Sequence, residues 1–260
     1  MTNDEFTEHI LDRGRALYRD MPWRQNTSFY YVLVSEIMLQ QTQVDRVVPK
    51  FEKFITHFPS IEKLAVAPTG TVLHHWVGLG YNRRAKYLRD AAGMVNKHIP
   101  RTSEELLQLP GVGPQIAGAI MAYAYNQPTF FIETNIRTVY IHHFFSHKNH
   151  VTDQQIYRKL QHTIDHTQPR VFYWALMDYG AWLKKQGVRT HRKSKHYLKQ
   201  SPLHGSVREV RGQIIAALQQ KPALVTELRA ISTADKRFEI ALHALIKENL
   251  VHKKGNRYSI

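Results

Sequence analysis

The sequence contains no cysteine among its 260 residues. This absence excludes disulfide bonds, thiolate zinc sites, cysteine-ligated iron–sulfur clusters and cysteine nucleophiles. Acidic residues are also scarce: 21 Asp and Glu stand against 36 Lys and Arg, a formal net charge of +15. No apolar run reaches membrane-spanning length, and the first ten residues are polar. We therefore expect a soluble, cytoplasmic protein with no membrane partner, and its charge favours a polyanion such as nucleic acid, whether the protein is an enzyme or only a binder.

One stretch, residues 109–135, organises the rest of the chain. It reads LPGVGPQIAGAIMAYAYNQPTFFIETN: a helix end, a tight turn, a helix, a loop, and a carboxylate before a third helix. Gly111 and Gly113 lie between two prolines, and glycines permit positive φ angles and close backbone approach. The free N–H groups at the start of the following helix suit a phosphate. An ordinary corner between two helices explains the same spacing.

Hydrophobic periodicity predicts a compact all-α core, because short Pro and Gly breaks separate the predicted helices. These helices cover residues 4–19, 29–41, 46–57, 61–66, 71–77, 83–97 and 171–183. Beyond a linker at 201–206, three helical patterns and a hairpin turning at Gly255 and Asn256 resemble a winged helix, which binds either duplex DNA or protein. We predict a core over residues 1–200, with its hairpin at about 104–126, and a winged-helix-like domain over residues 206–260.

Three carboxyl groups stand out from their surroundings. Glu36 lies among apolar residues, with no basic residue within a helical turn on either side. Desolvation would raise its pKa, as a general acid at neutral pH requires, although a hydrogen bond from a distant partner is the structural alternative. Glu133 or Thr134 is placed to cap the helix that follows. Asp178, isolated among aromatic residues, is predicted to cap or brace another helix from within the core.

Several segments resemble the helix-hairpin-helix DNA glycosylase superfamily, in particular its adenine DNA glycosylase (MutY) branch. They are MPWR (21–24), SEIMLQQTQV (35–44), VVPKFEKFITHFP (47–59), GLGYNRRAKYL (78–88), LPGVGPQIAGAI (109–120) and MDYGAW (177–182). The resemblance implies an all-α core of two helical subdomains. It also implies a monofunctional enzyme of base excision repair that removes a flipped-out mispaired base, adenine opposite guanine or oxidised guanine. Uracil, thymine or hypoxanthine in a mismatch, or a catalytically silent DNA-binding protein, are the alternatives.

The resemblance assigns the chemistry residue by residue. The family's proton donor falls on Glu36, and Asn135 matches a neighbouring asparagine of the active site. Glu133 stands where the family has an aspartate facing C1′ of the flipped nucleotide, so its longer side chain leaves its catalytic role open. Gln115 occupies the position of the Schiff-base lysine of bifunctional relatives such as endonuclease III, so lyase activity is not expected.

The resemblance also implies contacts to double-stranded DNA that carries a damaged or mismatched base. Gln41 is the candidate wedge beside the extruded base, and Asn82 replaces a second tyrosine of the family. Without the resemblance, Trp23 and Arg24 are interpreted as an aromatic residue of the core and the charged residue beside it. The predicted contacts are Trp23, Arg24, Gln40, Gln41, Thr42, Tyr81, Arg83, Arg84, Gly111, Val112, Gly113 and Gln115.

A basic run from Lys184 to Lys199 stands where relatives carry four cluster cysteines. It is predicted to replace the DNA-contacting cluster loop through Lys184, Lys185, Arg189, Arg192 and Lys193, and the alternative is a solvated, flexible run. We therefore expect no iron–sulfur cluster, at most a Na+ or K+ ion on the hairpin carbonyls, and a monomer. The family's domain for oxidised guanine is not recognisable in this sequence.

Overall fold

The computed structural model describes residues 1–95, 98–199, 201–233 and 235–260. These residues form fifteen α-helices, a short 3-10 helix at Thr190–Lys193 and three strands. The helices are α1 (Asn3–Leu17), α2 (Pro22–Gln25), α3 (Phe29–Leu39), α4 (Val44–His57), α5 (Ile61–Ala65), α6 (Thr69–Trp76), α7 (Arg83–Val95), α8 (Ser103–Leu107), α9 (Pro114–Tyr123), α10 (Thr134–Phe144), α11 (Asp153–Leu160), α12 (Pro169–Lys185), α13 (Val207–Leu218), α14 (Val225–Ile231) and α15 (Lys236–Lys247). The strands are β1 (Ala223–Leu224), β2 (His252–Lys254) and β3 (Arg257–Ser259).

Local signals fix many of the helix boundaries. Thr2, Thr102 and Thr152 each open a helix with a capping box, in which the threonine side chain and the third helical side chain satisfy each other's backbone N–H groups. The helix predicted over residues 29–41 is shorter in the structure. As α3, it ends at Leu39, because Gln41 adopts a left-handed φ of 57°. The last two positions of the helix predicted at 83–97 lie outside the described residues.

The chain folds as two compact units, and the first comprises residues 1–36, 100–108 and 112–199. Its core lies where α1, α10 and α12 pack together. Phe6, Ile10, Tyr140 and Leu176 are fully buried there, and the rings of Phe6 and Tyr140 lie 5.1 Å apart. This core orients the start of α10, where Glu133 and Asn135 lie.

A buried ion pair ties the amino-terminal segment of this unit to α12. Asp178 accepts hydrogen bonds from both terminal nitrogens of Arg24, at 2.6 and 3.0 Å, and from Nε of Arg19 at 2.6 Å. The prediction that Asp178 braces another helix is confirmed. Removing one partner of such a pair leaves a buried charge uncompensated, at a cost of about 3–5 kcal/mol.

The second unit comprises the described residues of 37–99, 109–111 and 200–260. Phe51, Phe54, Trp76 and Leu88 fill the core of its helices α4 to α7. Its carboxyl-terminal part packs α13, α14 and α15 beside an antiparallel sheet of order β1-β3-β2. The predicted terminal hairpin is confirmed, with Lys254 opposite Arg257, and the whole is the arrangement of a winged helix. The sequence reading missed the short first strand.

These units cut across the domain boundary inferred from the sequence. Residues 206–260 belong to the same unit as residues 37–99. Gln200, at the predicted boundary, lies outside the described residues. The division into 1–200 and 206–260 therefore stays a prediction. No helix in the described part of the chain is both long and apolar enough to cross a membrane.

Candidate active site

Glu36 is a half-buried carboxyl in a hydrophobic helix. Its chain neighbours Val34, Ser35 and Ile37 on α3 are at most 1% exposed. Burial, together with the nearby Glu133 and against the opposing charge of Arg24, raises the pKa of Glu36 to about 8. Glu36 is therefore mostly protonated at neutral pH and can donate a proton.

Glu133 caps α10 with its own side chain. Oε1 accepts the backbone N–H of Asn135 at 2.5 Å and that of Ile136 at 3.1 Å. Of the two candidates for this cap, Glu133 rather than Thr134 makes it. Burial raises the pKa of Glu133, while Lys184, the two backbone N–H groups and Arg137 act in the opposite direction. These donors favour the carboxylate form of Glu133 and oppose the effect of burial.

Two buried oxygens of this unit have no hydrogen-bond partner among the described residues: the hydroxyl of Tyr123 and Oδ1 of Asn135. Burial raises the pKa of Tyr123, and Glu36 and Glu133 raise it further, so the phenol stays neutral beside the two carboxyls. A buried polar atom without a partner costs about 1–3 kcal/mol unless a ligand or water satisfies it. The sequence analysis identified Asn135 as a site residue and missed Tyr123. One feature of the sequence could have indicated Tyr123: it places a hydroxyl on the apolar face of α9. Buried tyrosine hydroxyls usually have a hydrogen-bond partner, so this position suggests a polar site nearby.

Gln115 connects the first turn of α9 to the segment that leads into Glu133. Its Nε2 donates to the carbonyl of Ile132 at 2.9 Å. The residue at the position of the lyase lysine therefore holds the backbone immediately before the second carboxyl. Its amide nitrogen is not nucleophilic and cannot form a Schiff base.

Arg84 forms a buried clamp in the second unit. Its guanidinium donates to the carbonyls of Ile37, Met38 and Gln40 at 2.6–3.0 Å, and to those of Leu79 and Gly80 at 2.9 and 3.1 Å. The clamp joins the end of α3 to the loop before α7.

The clamp is completed by Thr42, which accepts from Arg84 at 3.2 Å and donates to the carbonyl of Leu79 at 3.2 Å. Gln40 donates to the carbonyl of Gly111 at 3.4 Å, and Gly111 itself has a left-handed φ of 80°. Gln41 and Tyr81 lie on the clamped segments with φ of 57° and 48°, and both side chains are exposed. A non-glycine residue in this conformation costs about 1–2 kcal/mol, so the surrounding hydrogen bonds hold both residues in place.

Several residues of the predicted DNA-contact set are buried in the structure. Trp23 and Arg24 are 6% exposed, Val112 is 6% and Arg84 is 7% exposed. The two guanidinium groups are engaged by Asp178 and by backbone carbonyls, so Arg24 and Arg84 stabilise the fold, and the predicted DNA contacts of these four residues stay predictions. Gln41, Tyr81, Arg83, Gly113, Gln115, Lys185, Arg189 and Arg192 are exposed.

Part of the basic run is held by a helix and by hydrogen bonds to neighbouring segments. Lys184 and Lys185 belong to the last turn of α12, not to a loop. Further on, the carbonyl of Lys193 accepts the N–H of Val151, and Thr190 donates to the carbonyl of Thr138 at 2.8 Å. Lys184 is half-buried. Burial lowers its pKa, Glu133 raises it, and Arg19 and Arg189 lower it. Lys184 thus belongs to the electrostatic surroundings of Glu133.

A monovalent cation at the hairpin stays a prediction. Among the described residues, the carbonyl of Gly111 accepts one long hydrogen bond, from Gln40, and a carbonyl oxygen has a second lone pair available for a cation. Within the described residues, no group of three or more His, Cys, Asp or Glu side chains could hold a metal ion.

Comparison with known proteins places these residues in a family. Residues 34–166 match the model of the HhH-GPD superfamily base excision DNA repair protein. The adenine DNA glycosylase of Buchnera aphidicola (subsp. Acyrthosiphon pisum) is 34% identical over 193 residues, which are 70% of this chain and 54% of that protein. The adenine DNA glycosylase of Mycobacterium tuberculosis is 40% identical over 141 residues, 50% of this chain and 46% of that protein.

The fold agrees with these matches. The solved structure of a thermostable thymine-DNA glycosylase superimposes with a TM-score of 0.60 at 24% identity, over 68% of this chain and 85% of that one. The chain spans about half the length of the curated relatives it matches. From the matched residues and the shared fold, we conclude that this chain belongs to the HhH-GPD superfamily of base excision DNA repair proteins.

Proposed function

We propose that this protein is a monofunctional DNA glycosylase that hydrolyses the N-glycosidic bond of a flipped-out mispaired adenine. One observation carries the proposal: the first unit holds two half-buried carboxyls whose pKa values are both raised by burial but whose polar surroundings differ. Glu36 is protonated up to about pH 8, whereas backbone N–H groups and Lys184 favour the charged form of Glu133. Two carboxyls with such different polar surroundings can divide the acid and anion roles of glycosidic cleavage.

The proposed reaction follows from these protonation states. Glu36 donates its proton to N7 of the extruded adenine, so that the base leaves as a neutral species. The sugar then develops oxocarbenium character, and the Glu133 carboxylate stabilises this positive charge. Water adds to C1′, and the carboxylate of Glu36 recovers a proton from it. Extrusion is required because the bond is inaccessible within a stacked duplex.

The capping geometry supports a role for Glu133 despite its extra methylene. One oxygen is fixed by the backbone of α10, and no described residue donates a hydrogen bond to the other in the structure. A carboxylate so held is pre-organised, and a preorganised anion contributes more to transition-state stabilisation than a mobile one. The unpartnered oxygens of Tyr123 and Asn135 supply polar contacts for the water or the nucleotide.

Duplex DNA with a mispaired base is the proposed partner. The hairpin glycines and the first turn of α9 would bind a backbone phosphate, Gln41 would enter the space beside the extruded base, and Tyr81 would contact the DNA. Exposed cations, including Arg83, Lys185, Arg189 and Arg192, would neutralise phosphates. The net charge of +15 supports this assignment.

The substrate test uses duplexes that carry A, U, T or hypoxanthine opposite each of the four bases and opposite oxidised guanine. Hot alkali after incubation cleaves the DNA at abasic sites and so reveals base excision. Strand cleavage without alkali, or a covalent complex trapped by borohydride, would reveal a Schiff-base lyase step. We expect alkali-dependent cleavage at adenine and no trapped complex. Cleavage confined to uracil, thymine or hypoxanthine would reassign the substrate, and no abasic site on any duplex would identify a silent DNA-binding protein.

A further inference from the structure

Positive and negative charges are distributed unevenly over the winged-helix segment, residues 206–260. Each of its five acidic side chains is engaged locally: Glu209 by the N–H of Gly205, Glu227 by the N–H of Leu224, Asp235 by Arg237, Glu239 by Arg229 and Glu248 by Arg211. Three arginines are thereby neutralised. The remaining positive charge is concentrated on α15 and on the hairpin β2–β3.

Helix α15 has two distinct faces. Phe238, Ala241, Leu242 and Leu245 are buried on the inner face. Lys236, Ile240, His243 and Lys247 recur at helical spacing on the opposite side, and all four are exposed, Ile240 at 56%. Among the described residues, neither lysine of this face forms a salt bridge. The exposed face is therefore cationic, with one apolar residue near its centre.

The hairpin continues this positive surface. All three residues of β2, His252, Lys253 and Lys254, are exposed. Tyr258 of β3 is buried and anchors the hairpin to the sheet, where it pairs with Ala223 of β1. Gly255, at the tip, has a φ of 60° and no atom within 4 Å of the place a Cβ would occupy, so the tip is open to a ligand.

Helix α13 attaches the segment to the rest of its unit. Arg208 donates to the hydroxyl of Tyr81 and lies over its ring, and Gln219 donates to the carbonyl of Leu73 at 2.9 Å. These contacts also fix the segment to the loop that carries Tyr81. Glu248 at the end of α15 also lies 3.9 Å from Arg83, and Ile260 after β3 lies beside Gly70 of α6. The outer face of α15 and the strand β2 stay exposed.

We propose that the exposed face of α15 and the β2–β3 hairpin form a second duplex-DNA interface, separate from the glycosylase site. An α-helix fits the major groove, where Ile240 would contact thymine methyl groups and the flanking lysines would reach phosphates. Lys253 and Lys254 of the hairpin contact the backbone beside it. Duplex DNA suits this surface better than a protein partner, because lysines are depleted in protein–protein interface cores and Ile240 is the single large apolar side chain on the face.

The test measures binding of the full chain to an intact, lesion-free duplex by fluorescence anisotropy across a KCl series. Because no base is excised, the result does not depend on the proposed glycosylase activity. Lys253→Gln with Lys254→Gln is compared with Lys53→Gln and Lys63→Gln, two exposed lysines on α4 and α5. We expect the slope of log Kd against log salt to decrease by about two for the hairpin variant and to stay at the parent value for the control.

A second pair of variants locates the helix. Ile240→Asp places an anion at the centre of the α15 face, and Val66→Asp places one on another exposed apolar residue of the unit. We expect Ile240→Asp to weaken binding at least about tenfold, Val66→Asp to weaken it less than about twofold, and both to keep the parent melting temperature. Equal affinities and salt slopes for all variants and the parent would overturn the proposal, as would a parent that does not bind the duplex.

Discussion

Gly180 of α12 lies directly against Asn135 of α10. A Cβ built on Gly180 would come within 2.6 Å of the Asn135 carbonyl oxygen and 2.7 Å of its Cβ. Real Cβ atoms do not approach backbone this closely, so only glycine permits α12 to pack against the first turn of α10. That turn carries the N–H groups that hold Glu133.

Gly180→Ala should therefore displace the start of α10 and with it the Glu133 carboxylate. We expect a destabilisation of about 1–3 kcal/mol from overpacking and an excision rate about a hundredfold lower, because a displacement of about 1 Å is that costly at a reacting centre. Thermal melting and single-turnover kinetics measure the two effects. Gly93→Ala is the control: it adds a methyl group in α7 where nothing lies within 4 Å, and helix propensity predicts a gain of about 0.5–1 kcal/mol. Equal stability of Gly180→Ala and the parent would contradict the packing argument.

The proposed acid predicts the alkaline limb of the reaction. Because the pKa of Glu36 is about 8, the proton donor is present below that pH and is lost above it. Single-turnover rates on an adenine mismatch should be level towards neutral pH and should fall about tenfold per pH unit above the pKa. Glu36→Gln should remove base excision over the whole range while keeping DNA affinity. A parent rate that rises through pH 8 would eliminate Glu36 as the acid.

The same shift predicts a pH dependence of stability. The pKa of Glu36 is about 8 in the folded protein against 4.5 as its ordinary value, so the unfolded chain loses its proton first as pH rises. The contribution of Glu36 to stability is fully present below pH 4.5 and declines as pH rises towards 8. The decline is at most about 1.4 kcal/mol per pH unit. Urea unfolding of the parent and of Glu36→Gln should diverge across this window, with the variant the less affected. Parallel curves would mean that Glu36 titrates normally.

Glu133→Gln tests the charge of the second carboxyl without removing the cap, because the amide oxygen can still accept from α10. We expect excision to fall at least about a hundredfold, since a neutral amide does not stabilise the sugar cation. Glu133→Asp also keeps a cap but moves the carboxylate back by about one bond length, so it should be slower than the parent. A faster aspartate variant and a nearly inert parent would instead identify a decayed site. Single-turnover rates of the three proteins distinguish these results.

Lys184 and Lys185 form a matched pair at the end of α12. Lys184 is half-buried and is the largest influence that lowers the pKa of Glu133, whereas Lys185 is exposed. Lys184→Gln should raise the pKa of Glu133 and shift the acidic limb of the pH–rate profile to higher pH. Lys185→Gln should leave that limb in place. Identical profiles for the two variants would mean that Lys184 does not set the pKa of Glu133.

The order of the helices follows from local signals in the sequence. The 3.6-residue periodicity, the capping threonines and the Pro and Gly breaks each act within a few residues, so they predict α1, α4 and the terminal hairpin without knowledge of the fold. Glu36 was identifiable in the same way, since its apolar neighbours along α3 already imply desolvation.

The directions of the arginines depend on the tertiary structure. Arg24 and Arg84 stand in segments that look suited to DNA, and both turn inward, where their partners lie as far as 154 and 47 residues away in the chain. No local pattern encodes such a contact, because the burial that makes an internal ion pair or clamp favourable exists only after distant elements pack.

The surroundings of the proposed catalytic carboxyls also depend on the tertiary structure. The sequence determined which groups are available: two carboxyls, a hairpin, no thiol ligand, and a large excess of positive charge. Only packing brought Lys184 close to Glu133, left the hydroxyl of Tyr123 without a partner among the described residues, and set Gly180 against Asn135. The reason is that a pKa and an unpaired polar atom are properties of the surroundings in space, which the chain acquires when α10 and α12 meet.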